Sequence, residues 1–306
     1  MDALIRNLVH EHFGREPTEI KALGGGFYGR AFSVAIDRPP FTIVVKVYMY
    51  DGIARNEYVQ LRMLARHALL KVPEVYHLHI KQGDSDHDAL LMEHIEGLNA
   101  GHQNTLADDA IDRIADRIVD NLIAFHSVEH ADGFGALESE AFEQDWRDWY
   151  RRDVRMVYKK AIALRDRGKL DNDIFATVEL AVERFDQIFY LPITDARLIH
   201  GDYNAWNIMV NTEASDAIAV IDPFNCSWAD PEFDLYQLDN ANGRYLSLLD
   251  RYREKVALTE NFAQKNSFYK LFTEIMHHHD ANVDIATSMV HQAAKDLRKL
   301  IRSLSS

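Results

Sequence analysis

The 306-residue chain is 47% hydrophobic, enough apolar material for one large domain or two smaller ones sharing a cleft, and too much for a disordered chain. Its formal net charge of −14 argues against a basic nucleic-acid-binding face, its single cysteine, Cys226, excludes an internal disulfide framework, and it has no run of about 18 apolar residues to cross a membrane. Charges interrupt the opening MDALIRNLVHEHFG where a secretory leader needs an unbroken apolar stretch, so the expected setting is reducing and cytoplasmic.

Residues 2–13 carry the spacing of a short amphipathic helix. The β-rich segments TEIKAL (18–23), RAFSVAI (30–36) and FTIVVKVYM (41–49) follow, the last two joined by the turn residues Asp37-Arg38-Pro39-Pro40. Apolar positions 54, 61, 64, 65 and 68 predict a helix over 52–69. Strands are expected near 74–80 and 88–93, with Gly83-Asp84 in the turn between them. After Gly97 the pattern becomes helical at 106–127, 142–167 and 172–189, with one β-rich patch at 196–221 and helix again beyond Pro231. The expected fold class is α+β: a small β-rich N-terminal lobe, residues 1–95, and a larger, mostly helical C-terminal lobe, residues 96–306, with a hinge at Glu93–Gly97.

Four stretches carry the chemistry. In LIHGDYNAWNIMV (198–210), Asp202 and Asn207 lie between two predicted strands, and Asp222 comes fifteen residues after Asn207, behind the apolar run AIAVI. A hairpin would bring Asn207 and Asp222 together as hard oxygen ligands of the kind Mg²⁺ takes, with Asp202 as a nearby carboxylate able to accept a proton. Asp and Asn also cap ordinary turns, but three together at this spacing favour chemistry. In LGGGFYGRAFSV (23–34), Gly24, Gly26 and Gly29 fit G-x-G-x-x-G, with Gly25 between. A strand follows rather than the helix of a dinucleotide fold, which suits a flap over phosphates or a plain glycine-rich hairpin. Lys46 interrupts an apolar strand and is either solvent-facing or buried and paired. Glu57 is the available partner, on the helix stripe of Leu61, Leu64 and Ala68. In ADPEFDLYQL, Asp230 and Pro231 start a helix and leave Asp234 in its first turn.

Glycine flap, strand lysine, helix glutamate, hinge, HGDxxxxN loop, strand-terminal Asp and DPxxD occur in the order of the protein-kinase-like fold. The HGDxxxxN and DPxxD block resembles the aminoglycoside phosphotransferase and choline kinase superfamily, which includes fructosamine, methylthioribose and homoserine kinases. The likeness runs from Leu23 to at least Leu238. It implies a Mg-ATP-dependent kinase that phosphorylates a hydroxyl of a small molecule. By this resemblance Asp202 is the catalytic base, Asn207 and Asp222 are the Mg²⁺ ligands, and Lys46, oriented by Glu57, binds the α- and β-phosphates. Gly24, Gly25, Gly26 and Gly29 form the flap. Backbone groups of Glu93 and Ile95 bond the adenine, which lies against Val44 and Ile221, while His200 and Asp234 support the catalytic turn. The chain departs from its relatives in the triple glycine followed by Phe27-Tyr28, and in Pro223-Phe224-Asn225 after Asp222.

The acceptor is open at this level. Asp145, Asp148 and Asp153 interleave with Trp146, Trp149 and Tyr150 in a pattern that suits a sugar or cation, though aromatics at helical spacing more often build a core. Ser227-Trp228-Ala229, Tyr245 and Tyr252 are further candidate walls. The acidic balance fits an amino sugar, glycated amine or aminoglycoside, and a neutral sugar almost as well. A nucleotide-binding pseudokinase or regulatory module is the alternative, disfavoured by the intact Asp202, Asn207, Asp222 and Lys46. Protein kinase activity is disfavoured by the short Asp222–Asp234 interval. His277-His278-His279-Asp280 diverge around a helix and make a poor metal site; Cys226 reads as a packing residue, and Val283–Leu304 as a closing helix with Lys295, Arg298, Lys299 and Arg302 solvated.

Overall fold

The computed structural model describes residues 1–26, 28–83, 87–102, 108–281 and 287–303. Phe27, Asp84, residues 106–107 of the third predicted helix, and the ends Val283 and Leu304 of the predicted closing helix lie outside them.

Helix α1 (Asp2–Phe13) buries Ile5, Leu8 and Val9 at i, i+3, i+4 spacing and ends at Gly14, whose φ of 64° is the left-handed cap that glycine adopts without strain. Strands β1 (Glu19–Gly25), β2 (Gly29–Ala35) and β3 (Thr42–Tyr48) precede helix α2 (Ile53–Leu64), followed by β4 (Val75–His79) and β5 (Ala89–Glu93). The five strands form one antiparallel sheet in the order β1-β2-β3-β5-β4. Alternation along β3 sends Ile43, Val45 and Val47 into a core with Ile5, Leu8 and Val9, which leaves Val44 and Lys46 on the other face. Each fully buried aliphatic side chain contributes about 1.5–3 kcal/mol of burial free energy. The second predicted helix stops short, at Leu64 rather than residue 69. The N–H groups of Leu69 and Leu70 donate instead to the side-chain oxygen of Asn121, both at 2.8 Å.

Strand β6 (Leu98–Asn99) and helix α3 (Asp108–His126) come next, then β7 (Gly135–Ala136), α4 (Trp146–Asp166), α5 (Asn172–Glu183), α6 (Phe185–Ile188), β8 (Arg197–Ile199), β9 (Ile208–Val210), β10 (Ala217–Val220) and β11 (Ser227–Ala229). Residues 231–239 and 241–243 are 3₁₀ turns, followed by α7 (Leu248–Lys255), α8 (Phe262–Ala281) and α9 (Thr287–Ser303). Helix α4 begins four residues later than predicted because Asp145 caps it, accepting from Arg147 N–H at 2.9 Å. The predicted 172–189 helix breaks at Arg184 into α5 and α6.

The single β patch expected at 196–221 is two sheets: β8 pairs with β11, which pairs with β7, whereas β9 lies between β10 and β6. The chain divides into two compact units, residues 1–124 with 205–224 and residues 125–204 with 225–306. That division is discontinuous in sequence and separates Asp202 from Asn207, where the sequence pattern suggests one break at 95/96. Among the described residues no helix is long and apolar enough to cross a membrane.

Candidate active site

In the first unit the Lys46 ammonium is held by both oxygens of Glu57, at 2.9 and 2.7 Å, and by Asp222 Oδ1 at 2.5 Å. Glu57 lies on the buried stripe of α2 with Ala54, Leu61 and Leu64. Burial alone would pull the Lys46 pKa down, but Glu57 and Asp222 outweigh it and hold the group above the ordinary lysine value, so it stays an ammonium. One cation among two carboxylates leaves an excess negative charge. Asp222, the more exposed partner, is the one placed to exchange.

Hairpin β9–β10 pairs Val220 with Ile208 and carries the chain so that Ile221 N–H donates to the Asn207 carbonyl at 2.9 Å. The Asn207 amide nitrogen lies 3.5 Å from the Asp222 backbone carbonyl, which turns its oxygen the other way. Asp222 has φ 56°, a left-handed conformation that is uncommon for a non-glycine residue and that aspartate adopts more readily than most. An amide oxygen and a carboxylate on one short hairpin are a hard donor set, and these residues fit a magnesium ion.

The glycine stretch is the β1–β2 hairpin, with Gly25 opposite Arg30 and Gly26 N–H donating to Gly29 O at 3.0 Å. Its glycines are not equivalent. A Cβ on Gly29 would sit 2.8 Å from the Val47 carbonyl, whereas Gly24 and Gly26 face open space. Tyr28 at the tip stacks on Phe224, ring centroids 4.9 Å apart, a contact that sequence spacing does not announce. At the expected hinge, Glu93 N–H already donates to Glu74 O at 2.8 Å and its side chain pairs with Lys71, so a base bound there would have to use the Glu93 carbonyl. Ile95 is half-buried, as are Val44, paired with Met92 across the sheet, and Ile221.

In the second unit, the His200-Gly201-Asp202 turn is held by the wholly buried Asp234, whose carboxylate accepts from His200 N–H at 2.8 Å and Gly201 N–H at 2.7 Å. His126, unmarked by any motif, lies with its Nε2 3.3 Å from the same carboxylate and its Nδ1 2.8 Å from the Tyr252 hydroxyl. Asp202 is half-buried, and its Oδ1 accepts from Asn204 Nδ2 at 2.7 Å and Gln237 Nε2 at 2.9 Å. The 3₁₀ segment that supplies Asp234 and Gln237 is anchored in turn. Asp230 caps its start through Glu232 N–H, and the buried Lys265 ammonium lies 2.8 Å from both Asp230 and Glu232. Tyr269 donates to Asp230 at 2.6 Å, and Thr259 donates twice to Glu232. Lys265 lies far along the chain from Asp230 and Glu232, so the sequence gave no signal of this cluster.

Most candidate acceptor walls are core. Trp146 and Tyr150 stack on each other and pack with Phe233, Phe268 and Tyr269. Trp228 belongs to β11 and stacks on His130, so Ser227-Trp228-Ala229 is a buried strand rather than a binding wall. Tyr252 is buried, whereas Tyr245 is exposed. Burial pushes the Asp153 carboxyl up to about 6 against the opposing pull of Arg152 and Lys160, and burial also raises Glu274. Cys226 is buried, with its thiol pushed well up by burial. His278 bonds the Lys169 carbonyl and His279 bonds Asp280, so the histidine run diverges.

The model of the phosphotransferase enzyme family matches residues 19–254, well over half of the chain. The uncharacterized protein YcbJ of Escherichia coli (strain K12) is 23% identical over 240 residues, 77% of this chain and 78% of that one. Two solved structures share the fold along nearly the full length. A protein of Haemophilus somnus 129PT provisionally named a fructosamine-3-kinase has a TM-score of 0.73 at 17% identity, covering 97% of this chain and 96% of that one. A thermostable mutant of aminoglycoside phosphotransferase APH(4)-Ia, in ternary complex with AMP-PNP and hygromycin B, has a TM-score of 0.71 at 17% identity, covering 98% of each chain.

Proposed function

This chain belongs to the phosphotransferase enzyme family, and from that premise we propose that it is a Mg-ATP-dependent kinase acting on a hydroxyl of a small molecule. The observation that carries the reading is Lys46, an obligate ammonium held by Glu57 and by the exchangeable carboxylate of Asp222. Lys46 takes the phosphates of the nucleotide, and Gly24, Gly25, Gly26 and Gly29 form the flap over them. The adenine is bonded at Glu93 and Ile95 and lies against Val44 and Ile221. Asn207 and Asp222 hold Mg²⁺, which when bound neutralises charge on the phosphates.

The acceptor oxygen attacks the γ-phosphorus in line, the bond to the β–γ bridging oxygen breaks, and ADP leaves with that electron pair. The hydroxyl proton passes late to Asp202. His200 and Asp234 keep the turn in shape while Asp202 orients the hydroxyl, so catalysis is mainly positioning. The acceptor we favour carries an amine. The formal net charge of −14 favours approach of a cationic acceptor.

The test is mass spectrometry of candidate acceptors after incubation with Mg-ATP and protein: aminoglycosides, amino sugars, plain sugars, fructosamines, choline, homoserine and methylthioribose. The expected result is a mass gain of one phosphate on an amine-bearing acceptor, abolished by Asp202→Asn. Phosphorylation undiminished in Asp202→Asn would remove Asp202 from its role. Tight nucleotide binding with no product on any acceptor would favour a regulatory module instead.

A further inference from the structure

We propose that Gln237 is a positioning residue for Asp202, an inference that rests on the reading of Asp202 as the proton acceptor. Both residues lie in the second unit. Asp202 Oδ1 accepts from two amides, and they differ in kind. Asn204 sits two residues along the same turn and moves with it. Gln237 reaches in from the 3₁₀ segment at 231–239, which Lys265, Tyr269 and Thr259 anchor through Asp230 and Glu232.

The orientation of the Gln237 amide is set by its surroundings. Asn240 Nδ2 donates to Gln237 Oε1 at 2.5 Å, which turns the amide nitrogen toward Asp202, at 2.9 Å, and toward the Tyr236 hydroxyl, also at 2.9 Å. Gln237 is 4% exposed, and its neighbours in the chain, Tyr236 and Leu238, are buried as well. An apolar side chain of the same length would fill that space without the cost of burying an amide, so packing does not explain a glutamine there. A carboxylate pinned at one oxygen from a rigid element has its second oxygen aimed as well, which is what in-line transfer to an oriented hydroxyl requires. Among the described residues, the titratable groups near this carboxylate include His200, whose Nδ1 lies 3.3 Å from Asp202 N, and Tyr236, on which Asp202, Glu274 and Asp234 all act electrostatically.

The experiment measures ADP release from Mg-ATP, with water and with the acceptor panel, from about pH 5 to pH 9 so that both limbs of the profile are seen. Wild type, Asp202→Asn, Gln237→Leu and Gln237→Glu are compared, with thermal melts of each. The expected result for Gln237→Leu is kcat down roughly tenfold with KM for Mg-ATP unchanged. Gln237→Glu has the same size but sets a second carboxyl against Asp202, so the pair shares a proton and the acid limb of the kcat profile moves to higher pH by about one unit or more. If Gln237→Leu does not fold, Gln237→Glu carries the test alone. A slow Asp202→Asn beside Gln237 variants with the wild-type kcat and an unmoved acid limb overturns this inference and leaves the kinase reading standing. An Asp202→Asn as fast as wild type removes Asp202 as the proton acceptor, a wild type that releases no ADP under any condition overturns the kinase reading, and in either case the positioning role falls with it.

Discussion

Lys46 shows how a single residue type becomes informative only with its partner. A lysine inside FTIVVKVYM is compatible with a solvent-facing strand position; the bidentate contact with Glu57 decides against that. Breaking a buried ion pair from one side strands the other charge, so Lys46→Met should destabilise the fold by roughly 3 kcal/mol. Adding Glu57→Leu should recover most of that loss in denaturant titrations, while nucleotide binding stays lost in both variants. Asp153 gives a separate test. Its folded-state value of about 6 lies above the roughly 3.9 of an exposed aspartate, so the native state holds this proton more tightly than the unfolded chain. The stability conferred is complete below the unfolded value and is lost as pH rises through about 6. Asp153→Asn should therefore raise the melting temperature at pH 8, and the gain should shrink on titration to pH 5.

At the scale of elements, the glycine hairpin separates two reasons for glycine that the motif alone merges. Gly29 is required by the close approach of β3, since a Cβ there would press on the Val47 carbonyl. Gly29→Ala should cost about 1–3 kcal/mol, the usual range for overpacking. Gly26 faces open space, and Gly26→Ala should leave thermal stability within about 0.5 kcal/mol of wild type. The segments that form β1, β2 and β3 were legible as β-rich runs, and helix α2 was legible because its apolar positions recur at helical spacing, which marks the buried face. Their ends were less legible. Helix α2 stops where Asn121, far along the chain, offers its side-chain oxygen to two backbone N–H groups, and no local pattern encodes that competition.

For the whole molecule, the candidate residues divide between the two compact units, with Lys46, Asn207 and Asp222 in one and Asp202, Asp234 and Gln237 in the other. The division predicts a dissociation of effects. Asp222→Ala should weaken Mg-nucleotide binding at least tenfold in a fluorescent-analogue titration, whereas Asp202→Asn should bind as wild type does and lose turnover. Equal binding loss in both variants would contradict this partition.

HGDxxxxN, the strand-terminal Asp222 and DPxxD sufficed to place the chain in its family, because each is a short pattern that is read along the chain without any distant partner. The glycine hairpin and the pairing of Lys46 with Glu57 were legible by their order. What only the tertiary structure decided is which distant residues complete these groups. His126 beside Asp234, Gln237 on Asp202, Lys265 under Asp230 and Glu232, and Tyr28 on Phe224 are contacts across long sequence separations. Such contacts leave no periodicity or spacing behind, because a buried polar group needs a partner in space and the chain can supply it from anywhere. The same logic makes Trp228, a candidate binding wall, part of the core, and puts Trp146 and Tyr150 in the core that their helical spacing favours: an aromatic side chain looks alike in sequence whether it faces a ligand or Phe233 and His130.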